Sequence, residues 1–458
     1  MCGIVGALLY NVKDDFEVKL VNTMLNEIMR KSSDRGRDGY GYTTRQDKNT
    51  PNVFKSLVSF KKDENVSHPY FSSPFRYGTM IANLRAEPTT EYIKEKQFVD
   101  QQPYTRGGWS MVHNGTIAND KELRDQFQNG FRDYPSKIDS AAVIEMLQAT
   151  QSPHQVSTML KGSFAILAQD QLVPDRLHIM CNYRPIWYIN TPYGMFFASS
   201  DAYLPTNWGS ATMVEPYTYN VFGSRKLLSS ASLLHDGPAY RKILVVCSGG
   251  LDSVVAATKL LREGNDVELL HFDYGSRATT PELKAAQEIA EHLNVTLHVM
   301  PMNIYDKSDS PLLQADSEIA GGEEGAEFAH EWVPARNLVM LSLATAFAEA
   351  KGFNAVALGN NLEEAGAYPD NEPEFINRFN AILPFAVRDG KRLTIEQPVG
   401  NLMKHEIVAL GLKVGAPLHL TWSCYRAGKR HCGTCGPCFM RRTAFEINQR
   451  KEVISYDA

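Results

Sequence analysis

Lys242-Ile243-Leu244-Val245-Val246-Cys247-Ser248-Gly249-Gly250-Leu251-Asp252-Ser253 runs from a continuous apolar stretch through Ser-Gly-Gly into an apolar-periodic segment that continues to about residue 263. A short apolar run bounded by glycine reads as a buried strand, and the period that follows it reads as a helix. Glycines permit close backbone approach, successive amides can surround phosphate oxygens, and the helix N-terminus favours anionic charge. Ser248, Gly249, Gly250 and Ser253 are therefore read as nucleotide-binding, the two hydroxyls adding donors. Asp252 is better suited to a magnesium ion or a water network than to direct phosphate contact. The lysine of a Walker A loop is absent.

Outward from that stretch, strands are expected at 267–273, 295–300 and 353–358, with helices at 281–292 and 335–351. Such alternation implies a parallel sheet with helices on both faces. Asp273, closing the second strand, lies at the sheet edge where open α/β sheets bind ligands, and can either shape a nucleotide pocket or cap its own loop. The segment 303–330, rich in Asp, Ser, Glu and Gly, reads as a lid. Before residue 225 the pattern is different. Short strands are expected at 3–10, 79–84, 109–112, 163–168, 177–180, 186–190 and 194–198, with helices at 16–31, 139–149 and 153–160, an antiparallel α+β plan. The stretches 45–70 and 86–108 read as loops. Two domains are expected, 1–230 and 240–458, separated near the turn Asp236-Gly237-Pro238.

The 458 residues exceed one ordinary hydrophobic core. A net charge of -5 argues against a wholly basic nucleic-acid binder, although Lys391-Arg392, Arg426, Lys429-Arg430 and Arg441-Arg442 could line a local phosphate-binding face. No secretion signal or bilayer-length apolar run is read, so a soluble, cytoplasmic protein without a membrane role is expected. Of seven cysteines, Cys424, Cys432, Cys435 and Cys438 crowd near the C-terminus. Two successive two-residue gaps let three thiolates converge on one ion, with Cys424 as the fourth; structural zinc is favoured and an iron–sulfur cluster is the competitor. Cys2 sits behind a removable initiator Met1. Removal would leave a residue holding both a thiol and an α-amine able to act as its base.

Cys2-Gly3-Ile4-Val5-Gly6, Arg35-Gly36-Arg37-Asp38-Gly39, Leu84-Arg85, His113-Asn114-Gly115-Thr116-Ile117, Asp139-Ser140 and Arg184-Pro185-Ile186-Trp187-Tyr188 together resemble the class II glutamine amidotransferases. The resemblance spans about 2–225. It implies that Cys2 attacks the glutamine side-chain carbonyl, that Asn114 and the Gly115 amide form the oxyanion hole, that Arg85 holds the α-carboxylate, and that Asp139 accepts from the α-ammonium. His113 is left as structural.

The loop 248–253 resembles the PP-loop of ATP pyrophosphatases. With Asp273-Tyr274-Gly275, Val333-Pro334-Ala335-Arg336-Asn337, Gly359-Asn360-Asn361, Tyr368-Pro369-Asp370, Pro373-Glu374-Phe375 and Thr421-Trp422-Ser423-Cys424-Tyr425, it resembles the 7-cyano-7-deazaguanine synthase family over about 243–442. That family implies ATP, Mg2+ and a structural Zn2+, with Arg336 and Asn337 on the adenylated intermediate and Asp370 on the deazaguanine edge. Two departures stand out: Asn371 where the stand-alone synthases carry cysteine, and Ala335 where they carry glycine. Together the resemblances imply an N-terminal-nucleophile αββα sandwich followed by a Rossmann-like PP-loop domain with a C-terminal zinc site. The fused glutaminase resembles the archaeosine-linked branch, so the expected reaction is glutamine- and ATP-dependent conversion of 7-cyano-7-deazaguanine, free or within tRNA or DNA, to the 7-amidino product. A glutamine-fed synthase making the nitrile from 7-carboxy-7-deazaguanine is the alternative, an asparagine-synthetase-like enzyme or a non-catalytic scaffold lesser ones. A homo-oligomer is compatible with all of these.

Overall fold

The computed structural model describes residues 2–63, 68–86, 97–126, 135–136, 138–223, 225–234, 241–314, 316–322, 331–365, 368–388, 392–426, 428–452 and 454–457, with the side chains of 364 and 365 excepted. Met1, Lys391, the turn 236–238 and parts of the expected loops 45–70, 86–108 and 303–330 lie outside them. The chain falls into two compact units, 1–235 and 236–458.

In the first unit, β1 (Gly3–Val12) enters directly from Cys2 and is buried on both faces. Val5, Ala7 and Leu9 pack with the first helix, whereas Ile4, Leu8 and Tyr10 face a second sheet. The helix, α1 (Asp15–Ser32), starts where the Asp14 carboxylate accepts from the Glu17 amide at 2.8 Å, and buries Val18, Val21, Leu25 and Ile28 at helical spacing. β2 (Gly39–Gln46), β3 (Asn52–Ser56) and β4 (Phe75–Arg85) complete one side of that sheet. β5 (Tyr104–Arg106) and β6 (Trp109–Ile117) begin the second sheet. Its outer face is covered by α3 (Ala141–Thr150) and α4 (Pro153–Met159), which follow the short α2 (Asp120–Gln126).

The remaining strands are β7 (Gly162–Asp170), β8 (Arg176–Cys181), β9 (Trp187–Thr191), β10 (Gly194–Ala198), β11 (Thr212–Met213), β12 (Thr218–Gly223) and β13 (Lys226–Ser232). Among the described residues the sheet orders are β11-β9-β10-β1-β4-β2-β3 and β13-β12-β8-β7-β6-β5, antiparallel throughout. The layers thus run helix, sheet, sheet, helices, and β1, β4 and β6 bring their ends together around Cys2.

The second unit opens with β14 (Lys242–Val246), α5 (Leu251–Arg262), β15 (Asp266–Asp273), α6 (Thr279–Leu293) and β16 (Leu297–Pro301). It continues with α7 (Arg336–Lys351), β17 (Ala355–Ala357), α8 (Pro373–Ala386), β18 (Thr394–Glu396), α9 (Lys404–Val414) and α10 (Gly436–Ile447). The strands are all parallel in the order β16-β15-β14-β17-β18. Ile243 and Val245 pack with α5 and α6, while Leu244 faces α7 and α8, the period of two that a doubly covered strand requires. Strand order reverses between β14 and β17, so the crevice above their carboxyl ends is where this architecture binds ligands.

Candidate active sites

Cys2, Arg85, Asn114, Gly115 and Asp139 line one pocket of the first unit, with Gln102, His113, Ser140 and Arg184. Cys2 Sγ accepts from the Ala86 amide at 3.4 Å. Burial pushes the thiol pKa up, against the Ala86 amide and the Arg85 charge, which pull it down. Asn114 is buried, and its Nδ2 has no acceptor among the described residues. A buried amide donor without a partner is costly unless something else receives it. Gly115 has φ +141°, and a Cβ there would fall 1.9 Å from the Ser163 carbonyl oxygen, so only glycine lets the chain turn beside Asn114.

Asp139 is held rather than loose: Oδ2 accepts from the Ile117 amide at 2.6 Å, and Oδ1 from the Ser140 amide at 2.6 Å. Arg85 Nη1 donates to the Asp100 carbonyl at 2.6 Å, fixing the guanidinium at the pocket wall. His113 is buried, with Nδ1 2.7 Å from Ser140 Oγ, and burial pushes its pKa below the usual imidazole value. Arg184 belongs to no motif of fixed spacing and is legible only as part of a family segment; its Nη2 donates to Ser163 Oγ at 3.3 Å.

In the second unit a cavity opens at the β14/β17 reversal, lined by Ser248, Gly250, Asp252, Ser253, Arg336 and Asn337. Gly249 lies beneath that surface. Its φ is +80°, and a Cβ would sit 2.6 Å from the Glu282 carbonyl oxygen, so the loop is pressed onto α6 and requires glycine. Ser253 Oγ donates to the Gly250 carbonyl at 3.1 Å, and the Gly250 amide donates to Ser248 Oγ at 3.2 Å. Asp252 Oδ2 receives Lys404 Nζ at 2.5 Å and Asn361 Nδ2 at 3.2 Å. The carboxylate expected to serve magnesium therefore has a resident ammonium.

Two expected residues are positioned otherwise than their assigned roles suggest. Asp273 does not line the cavity; its Oδ1 accepts from the Gly275 amide at 3.2 Å, which makes it a loop cap. Asp370 does not line it either. Its carboxylate accepts from the Asn337 amide at 3.1 Å and Asn337 Nδ2 at 3.3 Å, placing a negative charge at the α7 N-terminus, where orphan amides and the helix dipole favour it. Asn371, the neighbour that departs from the stand-alone synthases, does line the cavity and accepts from Asn337 Nδ2 at 2.6 Å and Asn360 Nδ2 at 2.7 Å. Lys404 and Glu282 went unread because nothing in their local spacing marks them.

The four C-terminal cysteines converge, their Sγ atoms all within 4.8 Å of one another. Cys424 Sγ accepts from the Cys432 amide at 3.3 Å, and Cys432 Sγ from the Cys435 amide at 3.3 Å. Gly433, with φ +74°, makes the turn between the ligand-bearing positions. Such a closed set of thiols with amide donors on sulfur fits a structural metal. His431 stays outside the set: its Nε2 accepts from the Ser423 amide at 3.1 Å and its ring packs 4.4 Å from that of Trp422.

Of the basic face expected around the C-terminus, Arg441 is turned inward, whereas Arg392, Arg426, Lys429, Arg430 and Arg442 are exposed. Arg441 is buried, bonding the Thr421 hydroxyl at 2.6 Å, the Leu418 carbonyl at 2.9 Å and the Glu452 carboxylate. Arg426 donates to Thr434 Oγ1 and the Ile319 carbonyl, and Arg442 lies over the Tyr456 ring.

Comparison with known proteins bears on both units. The family model for a glutamine amidotransferase domain matches residues 92–206, and that for queuosine biosynthesis protein QueC matches 242–449. A 7-cyano-7-deazaguanine synthase of Saccharolobus solfataricus is 43% identical over the whole of both chains, and one of Sulfolobus acidocaldarius is 41% identical, also over the whole of both. A shorter synthase of Methanothrix thermoacetophila is 41% identical, covering 44% of this chain and 93% of its own. Fold and sites define a glutamine-hydrolysing, ATP-dependent carbon–nitrogen ligase, built as an amidotransferase domain fused to a PP-loop domain. The chain belongs to the 7-cyano-7-deazaguanine synthase family.

That membership corrects the expected product. The amidine reading rested on the fused glutaminase, yet relatives matching through both units carry the synthase name. Fusion therefore does not mark the amidine-forming branch. Among the described residues no helix is long and apolar enough to cross a membrane.

Proposed function

We propose that this enzyme makes 7-cyano-7-deazaguanine from 7-carboxy-7-deazaguanine, using glutamine as nitrogen donor and ATP for activation. The observation that carries the reading is the end-to-end match to synthases of the same two-unit length. In the first unit, removal of Met1 exposes the Cys2 α-amine, which takes the thiol proton as Sγ attacks the glutamine amide, the chemistry of an N-terminal nucleophile. The unpartnered Asn114 Nδ2 and the Gly115 amide receive the oxyanion. Arg85 and Asp139 hold the carboxylate and ammonium of the free amino acid, and ammonia leaves.

In the second unit the amides of 248–250 and the α5 N-terminus bind ATP phosphates. Arg336 and Asn337 border the activated acceptor. The carboxylate oxygen attacks the α-phosphorus, pyrophosphate leaves, and ammonia displaces AMP to give the amide; a second ATP activates the amide oxygen, and loss of AMP gives the nitrile. Asp252, shared with Lys404, would hold Mg2+, which would supply charge neutralisation of the ATP phosphates. Cys424, Cys432, Cys435 and Cys438 would hold Zn2+, which would supply folding energy at the C-terminal loop rather than chemistry. The acceptor is the free base, a reading supported by the burial of Arg441, which withdraws that cation from the expected phosphate-binding face.

Incubation of the purified enzyme with ATP, glutamine and 7-carboxy-7-deazaguanine, followed by product mass, tests this. Nitrile formation with two AMP per product is expected; failure to consume the carboxylate would overturn it. Metal analysis should find one zinc per chain, and iron with labile sulfide would replace that assignment.

A further inference from the structure

Two carboxylates line the nucleotide cavity among the described residues, Asp252 and Glu282. Asp252 is committed to Lys404 and Asn361. Glu282, in the first turn of α6, is half-buried, and its Oε2 accepts one long hydrogen bond, from Ser276 Oγ at 3.4 Å. Its own carbonyl oxygen is the atom against which Gly249 is pressed, so Glu282 is built into the floor of the phosphate loop. Arg336, which borders the same cavity, acts on the carboxylate by charge without hydrogen-bonding it.

The proposed reaction releases protons at this place. When ammonia attacks the acyl adenylate, a C–N bond forms, the C–O bond to AMP breaks with its electron pair, and the nitrogen must shed a proton. When the amide oxygen attacks the second ATP, pyrophosphate leaves and the nitrogen sheds one proton to give the adenylated imidate; the C–O bond then breaks, AMP leaves with the electron pair, and the nitrogen sheds its last proton as the C≡N bond forms. Neither Lys404, already an ammonium paired to Asp252, nor Arg336, a permanent cation, can take them.

We propose that Glu282 is the proton acceptor for nitrogen transfer and nitrile formation, an inference that rests on the nitrile-forming reading above. Burial pushes its carboxyl up to about 7, against the pull of Arg336 and the Ser276 hydroxyl, so near neutral pH it alternates between the two states at small cost. Burial raises Tyr274, Arg336 stays charged, burial holds His271 below its usual value, and Asp252 and Lys404 form an ion pair.

The test separates activation from proton transfer. Pyrophosphate exchange into ATP, dependent on 7-carboxy-7-deazaguanine, reports adenylation; product mass reports nitrogen transfer. Glu282→Gln should keep exchange within about twofold of wild type while product formation falls about 10²–10³-fold, and Glu282→Asp should restore part of it. At constant free ammonia, wild-type product formation should fall on the acid side with a midpoint near 7, a limb missing in Glu282→Gln. Equal loss of exchange and product, an unchanged product rate in the variant, or a wild-type profile with no acid limb would each overturn the proposal. If the wild type itself shows no carboxylate-dependent exchange, the nitrile-forming reading fails first.

Discussion

Lys404 Nζ meets Asp252 Oδ2 at 2.5 Å across 152 positions of sequence, joining the first turn of α9 to the first turn of α5. A lysine at a helix N-terminus opposes the dipole, so its place there is unfavourable unless a carboxylate offsets it. Asp252 does so, and the ammonium ends on the cavity wall beside the phosphate loop. Lys404→Met should therefore act twice. It takes the ammonium away from a largely buried carboxylate, costing about 2–4 kcal/mol of the second unit's stability, and it removes a cation from the cavity wall. Urea unfolding should register the first effect and carboxylate-dependent pyrophosphate exchange the second, while glutamine hydrolysis in the first unit persists.

Asn114→Ala carries an unusual pairing of outcomes. Because Nδ2 has no acceptor among the described residues, truncation breaks no bond of that donor, and stability should stay within about 1 kcal/mol of wild type. Glutamine hydrolysis should nonetheless fall about 10²–10³-fold in kcat with KM little changed. Product formation fed by free ammonia should be untouched, as it should be in Cys2→Ala. A loss of ammonia-fed activity would show that Asn114 supports the fold rather than the oxyanion.

Legibility in the sequence followed local chemistry. The continuous apolar run 243–247 and the glycines after it announced β14, its loop and α5, because burial on both faces and a phosphate-cradling turn each demand particular residues. Cys424, Cys432, Cys435 and Cys438 were legible for the same reason: convergence of their thiols follows from spacing alone. β3 carries no strand signal in the sequence because Asn52–Ser56 is an edge strand with no apolar alternation, and β13 carries none because its residues are mostly exposed. β18, three residues long, and α8, with Pro384 inside it, carry no periodic signal strong enough to read. Lys404 and Glu282 acquire meaning only through packing, as does the bond between the Asp370 carboxylate and the Asn337 amide.

The backbone at Ala335 accounts for the glycine of the family pattern rather than for the alanine that replaces it. It caps α7 at φ +50° and ψ +27°, the left-handed region in which a Cβ crowds the following carbonyl and glycine is at ease. Relief of that crowding outweighs the extra chain entropy of glycine by a modest margin, so Ala335→Gly should stabilise the second unit by about 0.5–1 kcal/mol. Chemical denaturation should show a higher midpoint with an unchanged slope. A lower midpoint would mean that the methyl makes a packing contact worth more than the strain.

His178 predicts the acid behaviour of the first unit. It lies on β8 between the Trp109 and Tyr219 rings, with Nδ1 2.8 Å from Tyr219 Oη. Burial, with help from the Arg176 charge and against Asp170, pushes its pKa down to about 4. In the unfolded chain the imidazole titrates near 6.5. As pH falls below that value the unfolded state binds a proton that the folded state refuses until about 4, so stability drops across this window and levels off beneath it. The full loss from this one group is at most about 3 kcal/mol. Urea unfolding of the first unit at pH 7 and pH 5 should show the decrease, and His178→Gln, which keeps a hydrogen-bonding group without the titration, should flatten it. An equal decrease in the variant would assign the acid sensitivity to the other buried histidines, His68 and His113, instead.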